Sequence, residues 1–232
     1  MPLAYLGAEA LARWQHPTRG LILPMEFLPL AEETGVILPM GQWVLEEACR
    51  QATTWQTMLR GGPPLTVSVN LSARQFQQPD LLQHVEQALA AAGLDPSWLR
   101  LELIESVLLD DPGGTLTKLE ALSSLGVWVT IDDFGSGHES LTSLRRMPVR
   151  SLKLNPSFLG QLDSTSVQVV RAVALLAHTL GLEVSAEGIE TDEQLARLRE
   201  AELDRGQGFL LSRPLTADAI YRLLQQGLPL IA

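Results

Sequence analysis

Short stretches that alternate polar and apolar residues recur along this chain, and nearly every one is followed by an amphipathic helical pattern. Stretches 65–72, 99–106, 127–134, 151–155, 183–189 and 206–210 read as strands, because side chains two apart share a face. Between and after them, 79–93, 113–126, 139–147, 166–181, 191–201 and 216–227 carry helical spacing, and 24–35 and 40–59 do so earlier in the chain. Strands alternating with helices predict a mainly parallel sheet covered by helices. Seven to eight such units in 232 residues fit a (β/α)8 barrel of TIM type. The rival is an open doubly wound sheet, which usually carries a glycine-rich phosphate loop after its first strand. The sequence shows none there. With no Pro/Gly/Ser-rich linker and no low-complexity block, residues 1–232 read as one domain.

Side-chain parity sharpens the expectation. One parity is aliphatic: Val67, Val69 and Leu71, Leu101 and Leu103, Val129 and Ile131, Leu152 and Leu154, Val184 and Ala186. That face should meet the helices. The other parity carries Ser68 and Asn70, Arg100 and Glu102, Thr130 and Asp132, Ser151, Lys153 and Asn155, then Ser185 and Glu187. In a closed barrel these point inward, and the last of each strand reaches the C-terminal mouth, where barrel active sites lie. Gln207 would join them from a final strand.

Bulk properties narrow the partners. Lys and Arg number 17 against 27 Asp and Glu, a formal net charge of −10. A field of that sign repels DNA and RNA duplexes and acidic membranes, though a small anion held by metal ions remains compatible. The single cysteine, Cys49, lies in a helical pattern and reads as a small buried hydrophobe; with no disulfide possible within the chain, a reducing cytoplasmic setting fits. No apolar run is long enough to span a membrane, and no basic-then-apolar leader opens the chain. The abrupt start fits a domain cut from a longer protein, whose parent could itself be membrane-anchored.

One stretch, "TIDDFGSG" (130–137), raises a physical problem: Asp132 and Asp133 are adjacent carboxylates ending an apolar strand. A cation between them or a solvated turn would each resolve the repulsion. Asn70, Glu102, Asp132 and Glu187 gathered at one rim beside Lys153, with Glu9 added, supply the hard oxygen donors of Mg²⁺, Mn²⁺ or Ca²⁺. The carboxylates exceed what one ion needs. Two ions a few Å apart can activate a water and stabilise an in-line displacement at phosphorus, with Lys153 orienting that water or neutralising developing charge. The four histidines show no zinc-ligand spacing.

At this point the residues become recognisable. "EALARW" (9–14), "VNLS" (69–72), "LELIES" (101–106), "DDFGSG" (132–137), "KLN" (153–155), "AEGIE" (186–190) and "GQGFLLSRPL" (206–215) resemble, in order, the EAL-domain family of cyclic-di-GMP phosphodiesterases. The resemblance implies a modified TIM barrel that hydrolyses cyclic di-GMP to linear pGpG with Mg²⁺ or Mn²⁺, two ions per site, Ca²⁺ being inhibitory. It implies Glu9, Asn70, Glu102 and Asp132 as ligands of a first ion, and Asp132 and Asp133 as contacts of a second. Glu187 would be a further ligand or base. Lys153 would hold the attacking water and Gln207 would lie near that water and the phosphate. Arg13 would grip a phosphate, Leu11 and Pro214 would pack on a guanine, and Glu105 would anchor the loop after Asp133, a loop linked in the family to homodimerisation. The parent would be of the GGDEF-EAL or sensor-EAL kind.

Departures from the family pattern fall at Ser136, His138 and Glu139 in that loop, at Asn155 where Asp is usual, and in an opening strand that is absent or cropped before Met1. Three functions compete: a phosphodiesterase, a cyclic-di-GMP receptor with little turnover, and a scaffold binding no nucleotide. The complete acidic set favours the first.

Overall fold

A computed structural model describes residues 7–58, 64–108, 112–135, 145, 147–159 and 164–225. Among the described residues, seven parallel strands form one sheet: β1 (Gly7–Ala10), β4 (Thr66–Asn70), β5 (Leu99–Ile104), β6 (Trp128–Phe134), β7 (Ser151–Leu154), β8 (Glu183–Ala186) and β9 (Arg205–Gly206), paired in that order. The sheet curls, because Gln207, directly after the last strand, donates from Nε2 to Glu9 Oε2 of the first at 2.8 Å. All seven strands line the interior, which encloses a cavity of about 110 Å³. This is the barrel that the alternation implies.

The parity holds. Val67, Val69, Leu101, Leu103, Val129, Ile131, Leu152, Leu154 and Val184 are each no more than 2% exposed, packed in one apolar core with the surrounding helices. Ser68, Arg100, Glu102, Thr130, Ser151, Lys153 and Ser185 line the interior instead. The covering helices are α1 (Pro24–Thr34), α2 (Ile37–Gln56), α3 (Ala73–Gln77), α4 (Leu81–Ala92), α5 (Pro112–Leu125), α6 (Ser164–Thr179), α7 (Asp192–Glu200) and α8 (Ala217–Gln225). Local chemistry sets their ends. Thr191 and Gln194 form a reciprocal capping box at the start of α7, and Gly93 closes α4 in the left-handed conformation at φ 63°. No helix among the described residues is long and apolar enough to cross a membrane.

Two expectations need correction, and one element was not foreseen. The stretch 206–210 is not a strand: β9 stops at Gly206, and the chain then turns beneath Ile189. Ile189 donates to Gln207 O at 3.0 Å and Leu210 donates back to Ile189 O at 3.0 Å, so these groups leave the ladder; a Cβ at Gly208 would overlap the Ile189 backbone. Likewise β8 ends at Ala186, which leaves Glu187 on a loop rather than a strand. An antiparallel hairpin, β2 (Trp14–His16) with β3 (Gly20–Ile22), was not legible as such. Its turn is held by His16, whose Nδ1 accepts from the backbone N–H of Thr18 and Arg19, each at 3.2 Å. The helix expected at 139–147 lies almost wholly outside the described residues.

Candidate active site

Lys153 is the penultimate residue of β7, points into the barrel and is buried. Its ammonium lies 2.9 Å from Glu102 Oε2, 3.1 Å from Glu187 Oε2, 3.2 Å from Glu9 Oε2 and 3.8 Å from Asp132 Oδ1. Those four carboxylates come from β5, the loop after β8, β1 and β6. Asn70, the last residue of β4, donates from Nδ2 to Glu9 Oε1 at 2.7 Å. Six of the residues expected at the rim thus form one connected cluster with Gln207.

Electrostatics follow from the crowding. For Lys153, burial opposes the charge, but Glu102, Glu9, Asp132 and Glu187 outweigh it and hold the ammonium pKa above its usual range. Burial likewise works against ionised Glu9. Lys153, Gln207 and Asn70 overcome it, so the Glu9 carboxyl stays below its ordinary value. Asp132 goes the other way. Burial, aided by Glu102 and Glu187, lifts it to about 6 against the pull of Lys153 and of the Asp133 N–H. The repulsion expected among the acids is therefore offset within the protein, chiefly by one ammonium.

The adjacent Asp pair has a backbone explanation. Ile131 pairs with Leu152 but Phe134 pairs with Leu154, so β6 carries one extra residue between them. This bulge interrupts the alternation that would send Asp132 and Asp133 to opposite faces. Asp133 adopts φ 59°, unusual for a residue with a side chain, and accepts at Oδ1 a hydrogen bond from Asn155 Nδ2. Asn155 in turn accepts from Ser157 N–H at 2.7 Å. Just beyond, Gly135 (φ 96°) donates its N–H to Glu105 Oε2 at 3.1 Å, and a Cβ there would strike the Phe158 ring. Glu105 is buried in the short turn directly after β5, so Gly135 is fixed to that turn. Ser136, His138 and Glu139 lie outside the described residues.

The other expected residues are less tightly gathered. Leu11 and Arg13 follow β1 directly. Leu11 is exposed, and Arg13 is half-buried with Nη1 donating to Ala12 O at 2.8 Å. Pro214 is exposed in the coil after β9. No hydrogen bond among the described residues ties these three to the carboxylates. Nor do three Asp, Glu, His or Cys side chains among the described residues already stand at chelating spacing, since Lys153 takes the central position. The donors are nonetheless hard oxygens on neighbouring strand ends, the type a Mg²⁺ or Mn²⁺ ion takes. The bulge and the Asn155 contact are what sequence reasoning missed; the glycines behind Asp133 were their only trace.

Comparison with known proteins agrees with this architecture. MucR of Pseudomonas aeruginosa, a bifunctional diguanylate cyclase/cyclic di-GMP phosphodiesterase, is 45% identical over 218 residues, 93% of this chain but 31% of MucR. The cyclic di-GMP phosphodiesterase NbdA of the same species is 41% identical over 219 residues, covering 94% of this chain and 28% of NbdA. The chain thus spans about a third of the length of these relatives. A solved PaMucR phosphodiesterase in complex with c-di-GMP superposes with a TM-score of 0.88 at 44% identity, covering 94% of this chain and 90% of that one. The EAL enzyme Bd1971, bound to cAMP and cyclic-di-GMP, gives 0.89 at 32% identity over 96% of this chain and 63% of its own. The EAL domain family model matches residues 4–214, and the chain belongs to that family.

Proposed function

We propose that this domain hydrolyses one phosphodiester of cyclic di-GMP to linear pGpG. The observation that carries the reading is the convergence of Glu9, Glu102, Asp132 and Glu187 on the buried Lys153 at the barrel mouth. Glu9, Asn70, Glu102 and Asp132 would hold a first Mg²⁺ or Mn²⁺, and Asp132 and Asp133 a second, with Glu187 as a further donor. When bound, the ions supply an activated water and offset charge on the phosphorane-like transition state.

The chain's own groups do the rest. Lys153 stays protonated because its carboxylate neighbours outweigh its burial, so it donates hydrogen bonds and orients the water without surrendering a proton. Glu187, on a loop, paired with Lys153 and about one-third exposed, would take the proton as water attacks phosphorus; the P–O3′ bond breaks and O3′ leaves as a hydroxyl, protonated from solvent. Gln207 fixes the carboxylate of Glu9 and would stand beside the scissile phosphate. Arg13 grips a phosphate oxygen, and Leu11 and Pro214 offer apolar surface to a guanine. The domain works in the cytoplasm and as a homodimer on this reading.

The test is incubation with cyclic di-GMP and Mn²⁺, followed by chromatography for pGpG, beside a binding isotherm and a sedimentation measurement. Product that disappears with chelator and in Glu9→Ala is the expected result. Binding without product would make the domain a receptor, and neither would leave a scaffold.

A further inference from the structure

We propose that Asn155 acts as a built-in stand-in for a cation at Asp133, holding that carboxylate in place without metal and weakening the second ion's hold on it. The inference rests on the two-ion reading above for its metal half and on geometry alone for the rest.

The amide's orientation is fixed by its neighbours. Ser157 presents a backbone N–H to Asn155 Oδ1 at 2.7 Å, and only an oxygen can accept there. The NH₂ group is thereby directed to Asp133 Oδ1, to which it donates. The backbone is held too, since Asn155 N–H donates to Phe134 O at 3.1 Å. Asn155 therefore cannot swing away without losing bonds to residues on both sides. Asp133 is no freer: it sits at the β6 bulge with φ 59°, next to a Gly135 whose N–H is fixed on Glu105.

Consider an aspartate in the same place. It would keep the bond from Ser157 N–H, but it would face Asp133 with a second oxygen. Two carboxylate oxygens in contact need a shared proton or a cation between them, and near pH 8 the proton is the costlier choice. The amide removes that need by offering a donor, and in doing so it occupies an Asp133 lone pair that a metal would otherwise use. The cost of dislodging the amide falls on metal binding.

The experiment compares wild type, Asn155→Asp and the swapped pair Asp133→Asn/Asn155→Asp, by thermal unfolding in chelator and by Mn²⁺ titration calorimetry. In chelator, Asn155→Asp should unfold roughly 3 to 8 °C lower than wild type. The swapped pair should recover most of that loss, because it restores one carboxylate facing one amide. In the titration, Asn155→Asp should bind a second Mn²⁺ at least tenfold more tightly than wild type. Equal melting in chelator, or a loss the swap does not repair, would overturn the stand-in role. Mn²⁺ isotherms that coincide for wild type and Asn155→Asp would overturn its effect on the ion. If no variant binds Mn²⁺ at all, the two-ion reading fails while the chelator comparison still decides the role of Asn155.

Discussion

Replacing Lys153 by methionine keeps the length of the side chain and removes the one charge that four carboxylates share. Lys153 is 5% exposed at its side chain, with Glu102 and Glu9 at 7% and 9%, so these groups have little water to fall back on. At an effective dielectric constant near 20, a pair at about 3 Å is worth roughly 5 kcal/mol before desolvation. Relief of the buried ammonium returns part of this, and Glu187, about one-third exposed, contributes less than the others. Orphaning a buried partner costs about 3–5 kcal/mol in general, and that is the expected loss for Lys153→Met in chelator at pH 8. Tryptophan-monitored urea unfolding reads it. The sign of the pH dependence is fixed: in the variant, the orphaned carboxyls have folded-state pKa values above their unfolded ones. The folded state then binds more protons, and stability falls as pH rises. The deficit should therefore shrink at pH 5. A loss under about 1 kcal/mol, or one equally large at pH 5 and pH 8, would refute the view of Lys153 as internal counter-ion.

Other expectations follow from single groups. Burial holds Asp132 up to about 6, so in metal-free wild type its contribution is full below about pH 4 and fades as pH rises towards 6, by up to about 3 kcal/mol. Asp132→Asn should flatten that limb in a chelator melting series, whereas Glu9→Ala, which removes a favourably paired carboxylate, should lower the melting temperature. Glu105→Ala should raise the Mn²⁺ concentration for half-maximal hydrolysis several-fold, with Glu105→Gln near wild type because it keeps an acceptor for Gly135 N–H; an unchanged titration in the alanine variant would remove the anchoring role. Burial pushes the Cys49 thiol up to about 12. Its reaction with a disulfide reagent at pH 8 should proceed only as fast as the protein opens, and labelling at the rate of a free thiol would contradict that packing.

The barrel and most of its mouth were legible because both depend on a period-two pattern. Glu102, Lys153 and Asn70 were placed correctly by parity alone, since they lie within β5, β7 and β4, where alternation is unbroken. Parity failed where the ladder did. It put Glu187 on a strand, but the backbone groups after Ala186 go to the turn around Ile189 and Gln207 rather than onward along β8. It also could not foresee the bulge at Asp132 and Asp133, because an inserted residue shows itself only in the register with the partner strand. The central place of Lys153 was out of reach for a different reason. Which of several like-charged groups an ammonium meets depends on distances across four strands, and no local spacing encodes those.

Charge is unevenly distributed along the barrel axis. At the mouth, one ammonium faces four carboxylates. At the opposite end, two guanidiniums share one carboxylate: Arg205 Nε lies 3.0 Å and Arg100 Nη1 3.4 Å from Glu183 Oε2, with Arg100 also over the Trp128 ring at 4.5 Å. The interior is thus negative where a ligand enters and positive where the strands begin. A cyclic dinucleotide brings two phosphate charges to the negative end. Lys153 cannot offset them, because its charge is already committed to its neighbours. On the proposed function, cations must therefore load before the nucleotide binds well, each one converting a repelling carboxylate into part of a phosphate site. The fold need not wait for them on this reading: Lys153 holds the acids together until an ion displaces them from it.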